Sequence, residues 1–482
     1  MIRRVLKWLL GIVLVLLAIP VLAVAAVLVL ANTDPGRHLI ENQTASLTGG
    51  MVRIEGLQGR FPDRLRVARI EVSDAKGPYV SIAGLVLDWS PLQLLHRTAR
   101  VETLQAAELD VSRMPESSSA KGTGKTTSTS YSLPVAVDLQ QLRIERAQIS
   151  APVAGVPAVL ALTGSAQIRS LQDGTVKLDA QRLDSAGSYA LAGTLTPDRV
   201  NASVNAAEPA KGLISSIAHL PDLGPISVKA ALDGPKDAVG TKLAIGAGPL
   251  TASADGTVDT VHAGADLAIK AQAPAMTPAP GVGWQSVLID AHVQGTAAAP
   301  IANGIVRIEG LSASGARIGA LEANAHGTAQ RVDLDAVIRD LHVPAPDPDL
   351  FAAAPITLNA SAVLDAADRP VKFRLEHPLM HLEGSGHAAG EPSVQAHLSL
   401  PDLHPLAAAA STDLEGKAEL DLGGRMQGDI TNTTISGLVS VTGGKAPVPA
   451  LIGPDGHIEL AASVHGQDIT VSNLTLNGKA LN

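Results

Sequence analysis

Through most of this chain apolar and polar residues alternate one by one, and that spacing fits only one regular structure. Ile226-Ser-Val228-Lys-Ala230-Ala-Leu232 carries it, as do Val332-Asp-Leu334-Asp-Ala336 and Ile356-Thr-Leu358-Asn-Ala360. It returns at Lys417-Ala-Glu-Leu420-Asp-Leu422, at Ile458-Glu-Leu460-Ala-Ala-Ser-Val464, and on toward Asn482. Successive side chains of a strand point to opposite faces, so each run predicts a strand with one face toward apolar surroundings. Gly, Pro, Asn and Asp separate the runs, as turns require. With 45 Gly and 31 Pro in 482 residues, turn formers are plentiful.

Helical periodicity is nearly absent. Ser90-Pro-Leu-Gln-Leu-Leu-His96 predicts a turn or two of helix, with Ser90 at the N-cap and Pro91 at the first helical position. Lys211 to His219 predicts another. Residues 115–132 (PESSSAKGTGKTTSTSYS) read as a Ser/Thr-rich linker loop. Val52-Arg-Ile-Glu-Gly-Leu57 recurs letter for letter at Val306 to Leu311, and Leu220-Pro-Asp-Leu223 recurs at Leu400 to Leu403. The two offsets differ, which points to one β-building scheme reused without a fixed period.

A long sheet with one apolar face must cover that face. It can stack on a second sheet, close into a barrel, or curl into a trough. The chain has only three Phe, three Tyr and three Trp, and deep cores lean on aromatic area. An elongated, curled antiparallel-type sheet, open along one side and lined with aliphatic side chains, suits that composition; a filled sandwich of the same strands is the alternative. The expected lining is Ile226, Val228, Leu232, Leu267, Ile269, Ile289, Val293, Val332, Leu334, Ile338, Ile356, Leu358, Leu398, Leu400, Leu420, Leu422, Ile458, Leu460 and Val464. Roughly 30 strands at about 4.8 Å spacing would make a trough about 140 Å long. Such a lining would match lipid acyl chains, at about 0.8 kcal/mol per buried methylene.

Arg3, Arg4 and Lys7 precede a run without charge from Trp8 to Leu30. As a helix it would span roughly 35 Å, enough for a hydrocarbon core of about 30 Å. The expected anchor comprises Trp8, Leu9, Leu10, Ile12, Leu14, Leu16, Leu17, Pro20, Leu22, Leu28 and Leu30, with Trp8 at the cytoplasmic interface and Met1 inside. A cleaved signal peptide normally has a shorter apolar region of about 7–15 residues. Small residues such as Ala23 and Ala25 leave cleavage open, and either reading exports the body.

The first hundred residues then run Val52-Arg-Ile-Glu-Gly-Leu-Gln-Gly59, Leu65-Arg-Val-Ala-Arg-Ile-Glu-Val72, Gly77 to Leu95 with Trp89-Ser-Pro-Leu-Gln-Leu-Leu95 at its end, and Val101 to Val111. This order resembles the start of the TamB family, the inner-membrane subunit of the translocation and assembly module, within the wider AsmA-like, bridge-like lipid-transfer proteins. The x-Leu-x-Trp-x-Pro-x-x-Leu-Leu element around Trp89 is its most specific piece. The resemblance implies a β-taco trough in the Gram-negative periplasm, anchored once in the inner membrane, that carries phospholipid toward the outer membrane in outer-membrane biogenesis. It also implies an outer-membrane partner, a TamA-like barrel of the Omp85 type. A second reading is a scaffold or chaperone that assists insertion or secretion of outer-membrane barrel proteins, by strand addition at a sheet edge. The family's members are longer and end in a C-terminal domain that this sequence lacks, so the chain is expected to be a fragment or truncated product. The expected division is residues 1–31 as cytoplasmic start and anchor, 32–114 as a TamB-like β region with a short helix near 90–97, 115–132 as linker, and 133–482 as the trough body.

No residue pattern suggests catalysis, and neither cofactor nor metal is expected. Ser119 to Thr126 comes near a phosphate-binding loop but has Ser where its first Gly is needed. His377, His381 and His387 would share a face on one uninterrupted strand, yet neighbours at i and i+4 lie about 13 Å apart, too far to share an ion. Pro378 predicts a break there. The net charge of −9, without a basic patch beyond the N-terminus, argues against nucleic acid. With no cysteine, disulfides and thiolate metal sites are excluded.

Overall fold

The computed structural model describes residues 30–115, 135–465 and 468–480. The anchor positions from Trp8 to Leu28 and linker residues 116–132 lie outside the described residues; Leu30 lies within them and is exposed. Among the described residues no helix is long and apolar enough to cross a membrane.

The chain is mostly β and divides into two units, residues 1–239 with 245–248 and residues 240–244 with 249–482. That division falls inside the stretch expected as one trough body.

In the first unit, helix α1 (Asp34–Leu47) leads into strands β1 (Val52–Arg60), β2 (Arg64–Asp74) and β3 (Gly77–Ser90). A 3-10 turn at Pro91–His96 and β4 (Thr98–Val111) follow. Next come β5 (Ala136–Ile149), helix α2 (Ala151–Ala154), β6 (Ala158–Ser170), β7 (Asp173–Arg182), β8 (Ser188–Leu195), β9 (Arg199–Glu208), helix α3 (Leu213–Ile217) and β10 (Ile226–Pro235). Strand β11 (Val239–Ala247) contributes to both units. The helices expected near Ser90–His96 and Lys211–His219 are thus present as short turns. Ser90 holds the N-cap position, but its hydroxyl donates to Glu102 instead of capping.

Among the described strand pairs one departs from the antiparallel arrangement, which corrects the expected pattern. Strands β4 and β5 run parallel, Leu104 opposite Leu142 and Leu109 opposite Ala147. A parallel pair needs a connection of a dozen residues or more, and residues 112–135 supply that length.

The second unit holds β12 (Leu250–Asp259), β13 (Gly264–Ala273), the short β14 (Met276–Ala279) and β15 (Val282–Trp284), then β16 (Ser286–Thr296), β17 (Ala299–Ala313), β18 (Ala316–Thr328) and β19 (Arg331–His342). It continues with β20 (Ile356–Val363), β21 (Pro370–His377), β22 (Met380–His387), β23 (Ser393–Leu400), helix α4 (His404–Ala409), β24 (Leu414–Gln427), β25 (Ile430–Gly444), helix α5 (Val448–Leu451), β26 (Gly456–His465) and β27 (Asp468–Asn477). Among the described residues each unit's ladder is open, with β1 paired to β2, β27 paired to β26, and no pairing that closes either ladder. Pro378 falls in the tight turn between β21 and β22, where the break was predicted.

The repeated Val-Arg-Ile-Glu-Gly-Leu segment encodes a repeated device. Gly56 and Gly310 both take a left-handed backbone, φ 67° and 62°. At each the register skips one residue: Glu55 and Leu57 face Arg69 and Val67, while Glu309 and Leu311 face Ala320 and Ile318. One residue is passed over on each strand, so the register is kept, and glycine takes this backbone without the Cβ penalty other residues meet. A Cβ at Gly56 would sit 2.7 Å from that of Ala68, so local packing as well as φ asks for glycine.

Successive hairpins of a meander turn at alternate rims of a sheet. From β5 onward one rim carries only short connections such as 171–172, 297–298 and 329–330, the longest being 364–369. The long connections, 150–157 and 209–225 in the first unit and 274–285, 343–355, 401–413 and 445–455 in the second, all fall at the other rim. Helices α2 to α5 lie in them.

Candidate functional site

Directly opposed residues of a strand pair project from the same face, so the register traces one side of the sheet from strand to strand. In the second unit Leu267 stands opposite Val293, Ile269 shares their side opposite Ala291, and Ala271 faces Ile289. Ile289 faces Val306, and Val306 faces Ala323. The line continues through Val332, Leu334 and Ile338 to Leu358 and Ile356. It then passes Leu375 and Leu382 to Leu398 and Leu400, and on to Leu420 and Leu422. Ile435 connects Leu422 to Leu460, with Ile458 and Val464 on the same side. All the expected lining residues of this unit therefore share one face.

The first unit has its own such face. Ile226, Val228 and Leu232 stand opposite Glu208, Ala206 and Ala202. From there the line runs through Leu191, Leu178 and Gly164 to Leu142, Leu104, Leu87 and Leu65. Ile226 and Ile356 are buried and the other lining candidates are half-buried. The sequence reading missed the stretch from Leu65 to Leu191, although its leucines and valines alternate in the same way.

Cover over these faces is local. In the first unit α2 and α3 fold onto the sheet, where Ala147, Ala154, Ala158, Leu160 and Leu213 form a buried cluster. Glu208 fastens this cover. Its carboxylate, only 5% exposed, accepts from the Ile214 and Ser215 N–H groups at the start of α3 and from the Tyr189 hydroxyl. Burial, followed by the hydrogen bond to Glu208, raises the Tyr189 phenol well above its ordinary value. Sequence pattern could have flagged Glu208 as a charge at an apolar position of its strand.

In the second unit Leu403 and the α4 residues Ala407 and Ala409 are buried, as are Ala418 and Val441 on the neighbouring strands. Farther along, the connection 343–355 brings Phe351 edge-on to His377, with ring centroids 5.4 Å apart. His377 continues the apolar side of Phe373 and Leu375 and is buried; the Leu379 N–H donates to its Nδ1. Burial lowers its pKa. His381 and His387 stand on the other side of β22, opposite Glu376 and Pro370. The three histidines are therefore split between faces, and among the described residues no group of three or more His, Asp or Glu side chains could hold a metal ion.

The opposite face of the second unit is polar and contains a hollow. A concavity of about 1030 Å³ opens over β19 to β25, bordered by Asp333, Lys372, Arg374, Glu383, His397 and Asp421. His397 bridges Asp421 at 2.9 Å and Glu419 at 3.1 Å. The bond to Asp421 is the main cause of its raised pKa, and Glu419 adds to it. A hollow lined by aliphatic side chains was expected; here the hollow is lined by charge, on the reverse of the strands that carry Leu334 and Leu420. Alternation assigns residues to two faces but does not say which of them carries a hollow, since twist and bulges decide that.

Residues 22–156 match the family model of the TamB, N-terminal domain, a span that takes in α1, β1 to β5 and α2. No curated protein and no solved structure matched the chain.

Proposed function

The N-terminal portion of this chain belongs to the TamB family, and from that premise we propose that the chain shields phospholipid acyl chains on its aliphatic face during transfer between the inner and outer membranes. A role in envelope and outer-membrane biogenesis is the coarser reading of the family match. The finer one rests on a single observation: an aliphatic face can be followed through the register of each unit, and the short helices cover it along one rim while much of the rest is half-buried.

Leu, Ile, Val and Ala side chains make no directional contact, so an acyl chain would gain from burial and still slide. Even partial cover of a 16-carbon chain, at about 0.8 kcal/mol per methylene, gives on the order of 5 kcal/mol or more. Acyl chains lie along the open aliphatic face in this reading, and the polar face with its charged hollow stays solvated. Transfer is passive, with no cofactor and no catalytic step. The charge-free run from Trp8 to Leu30 serves as a single inner-membrane anchor with the body in the periplasm, and a TamA-like barrel of the Omp85 type is the outer-membrane partner.

The test is the lipid content of detergent-extracted protein measured by mass spectrometry. Phospholipid is expected to co-purify, and Leu334→Glu and Leu420→Glu are each expected to reduce it, because a carboxylate on the wall is costly to desolvate. Lipid content unchanged in both variants would refute the shielding role.

A further inference from the structure

Two highly exposed leucines of the first unit point to a surface that shielding of acyl chains does not use. In the 3-10 turn Pro91-Leu-Gln-Leu-Leu-His96, Leu92 is 76% and Leu95 82% exposed. This turn lies at the end of the unit where the chain leaves the charge-free run. Asn32, two residues after that run ends at Leu30, exchanges hydrogen bonds with the Phe61 backbone, Nδ2 to O and N–H to Oδ1, both 2.8 Å. Phe61 and Pro62 occupy the β1–β2 turn, and the Trp89 indole donates to the Pro62 carbonyl just before the 3-10 turn begins. The Arg37 guanidinium donates to Gly59 at the same end. Residues 30–37, 58–66 and 88–100 hold six arginines against three aspartates, in a chain whose net charge is −9.

We propose that this end of the first unit is a membrane-seated foot, in which Leu92 and Leu95 enter the interfacial layer of the bilayer and arginines such as Arg64 and Arg97 meet anionic headgroups. Exposed leucines rimmed by cations are the usual means of interfacial seating. The 3-10 turn is tied to the sheet through Trp89, so its position beside residue 32 is fixed by the fold. This assigns a use to the Trp-Ser-Pro-Leu-Gln-Leu-Leu element. The inference relies on the anchor proposed above and is independent of the aliphatic wall.

The chain has no cysteine, so each introduced one carries a unique label. The full chain is reconstituted in phosphatidylethanolamine–phosphatidylglycerol vesicles with an environment-sensitive fluorophore at Leu92→Cys, Leu95→Cys, Leu14→Cys in the anchor, or Ser185→Cys at the opposite rim. Quenching by lipid-borne nitroxide is compared with quenching by aqueous iodide. Labels at 92 and 95 are expected to be quenched several-fold more by lipid than the label at 185, with the preference weakened in Arg64→Gln/Arg97→Gln protein. Labels at 92 and 95 that respond to iodide as 185 does overturn the foot; if the label at 14 is then lipid-quenched, the anchor stands without it. Labels at 92 and 95 shielded from both quenchers place protein over the turn and also overturn the foot.

Discussion

The two rims of each unit put the same kinds of side chain on the same face and bury them to different depths. At the helix-bearing rim Leu160 is 6% exposed, and Ala147, Ile226, Ile356 and Ala418 are buried with it. At the short-turn rim Val394 is 40% exposed, although it shares the apolar side of Leu398 and Leu400. Val239 is an exception, buried at the start of its strand at the short-turn rim, and Leu57 and Val67 are buried near the β1–β2 turn. Residue type does not explain the contrast, but local cover does. The loops carrying α2, α3 and α4 cap one margin of the aliphatic face, and the remainder stays available to another apolar partner.

The largest test of this contrast is truncation. Leu160→Ala is expected to lower stability by about 2–5 kcal/mol, the range for a buried leucine in packed surroundings. Val394→Ala should cost less than about 1 kcal/mol. Urea unfolding midpoints compare them, and equal shifts would end the distinction between rims. Glu208→Ala probes how the cover is fastened. It strands the Tyr189 hydroxyl and two N–H groups of α3, at about 2–3 kcal/mol, and hydrogen exchange should rise at 213–217 before it rises in the strands.

Much of this was legible in the residues and some of it was not. Strict alternation placed the strands, and its parity put Leu334, Leu358 and Leu420 on a common face, because register in a meander is held by that same pattern. The helix expected over Lys211 to His219 is α3, but the covers at α2 and α4 were hidden, since those helices are too short to display a helical period. The parallel pairing of β4 with β5 depends on a connection without periodicity. That a hollow opens on the polar face depends on twist and bulges over several strands, which alternation within one strand does not encode. His377, His381 and His387 were judged by parity along one strand, and the turn at Pro378 reverses that parity.

The smallest expected effect contrasts two histidines on opposite faces. His397 is raised above the ordinary value of about 6.5 and His377 is lowered below it. For His397 the folded protein binds the proton more tightly than the unfolded chain. Its contribution is full below the ordinary value and is lost as pH rises through the folded one. For His377 the sign is opposite: its contribution is full above the ordinary value and is lost as pH falls toward the lowered folded one. Imidazole titrations by NMR should bracket 6.5, and Asp421→Asn should bring His397 down while leaving His377 in place. Coincident titrations would mean that the burial of His377 and the Asp421 bond of His397 do not act as described.

Photo-crosslinking in the native envelope compares the faces themselves. A photoreactive residue is placed at Leu334 or Leu420 on the aliphatic side, and at Asp335 or Asp421 on the reverse of the same strands. Phospholipid adducts are predicted at 334 and 420 and not at 335 and 421. Adducts of equal yield on both sides, or polypeptide in place of lipid at 334 and 420, would contradict an aliphatic wall for acyl chains.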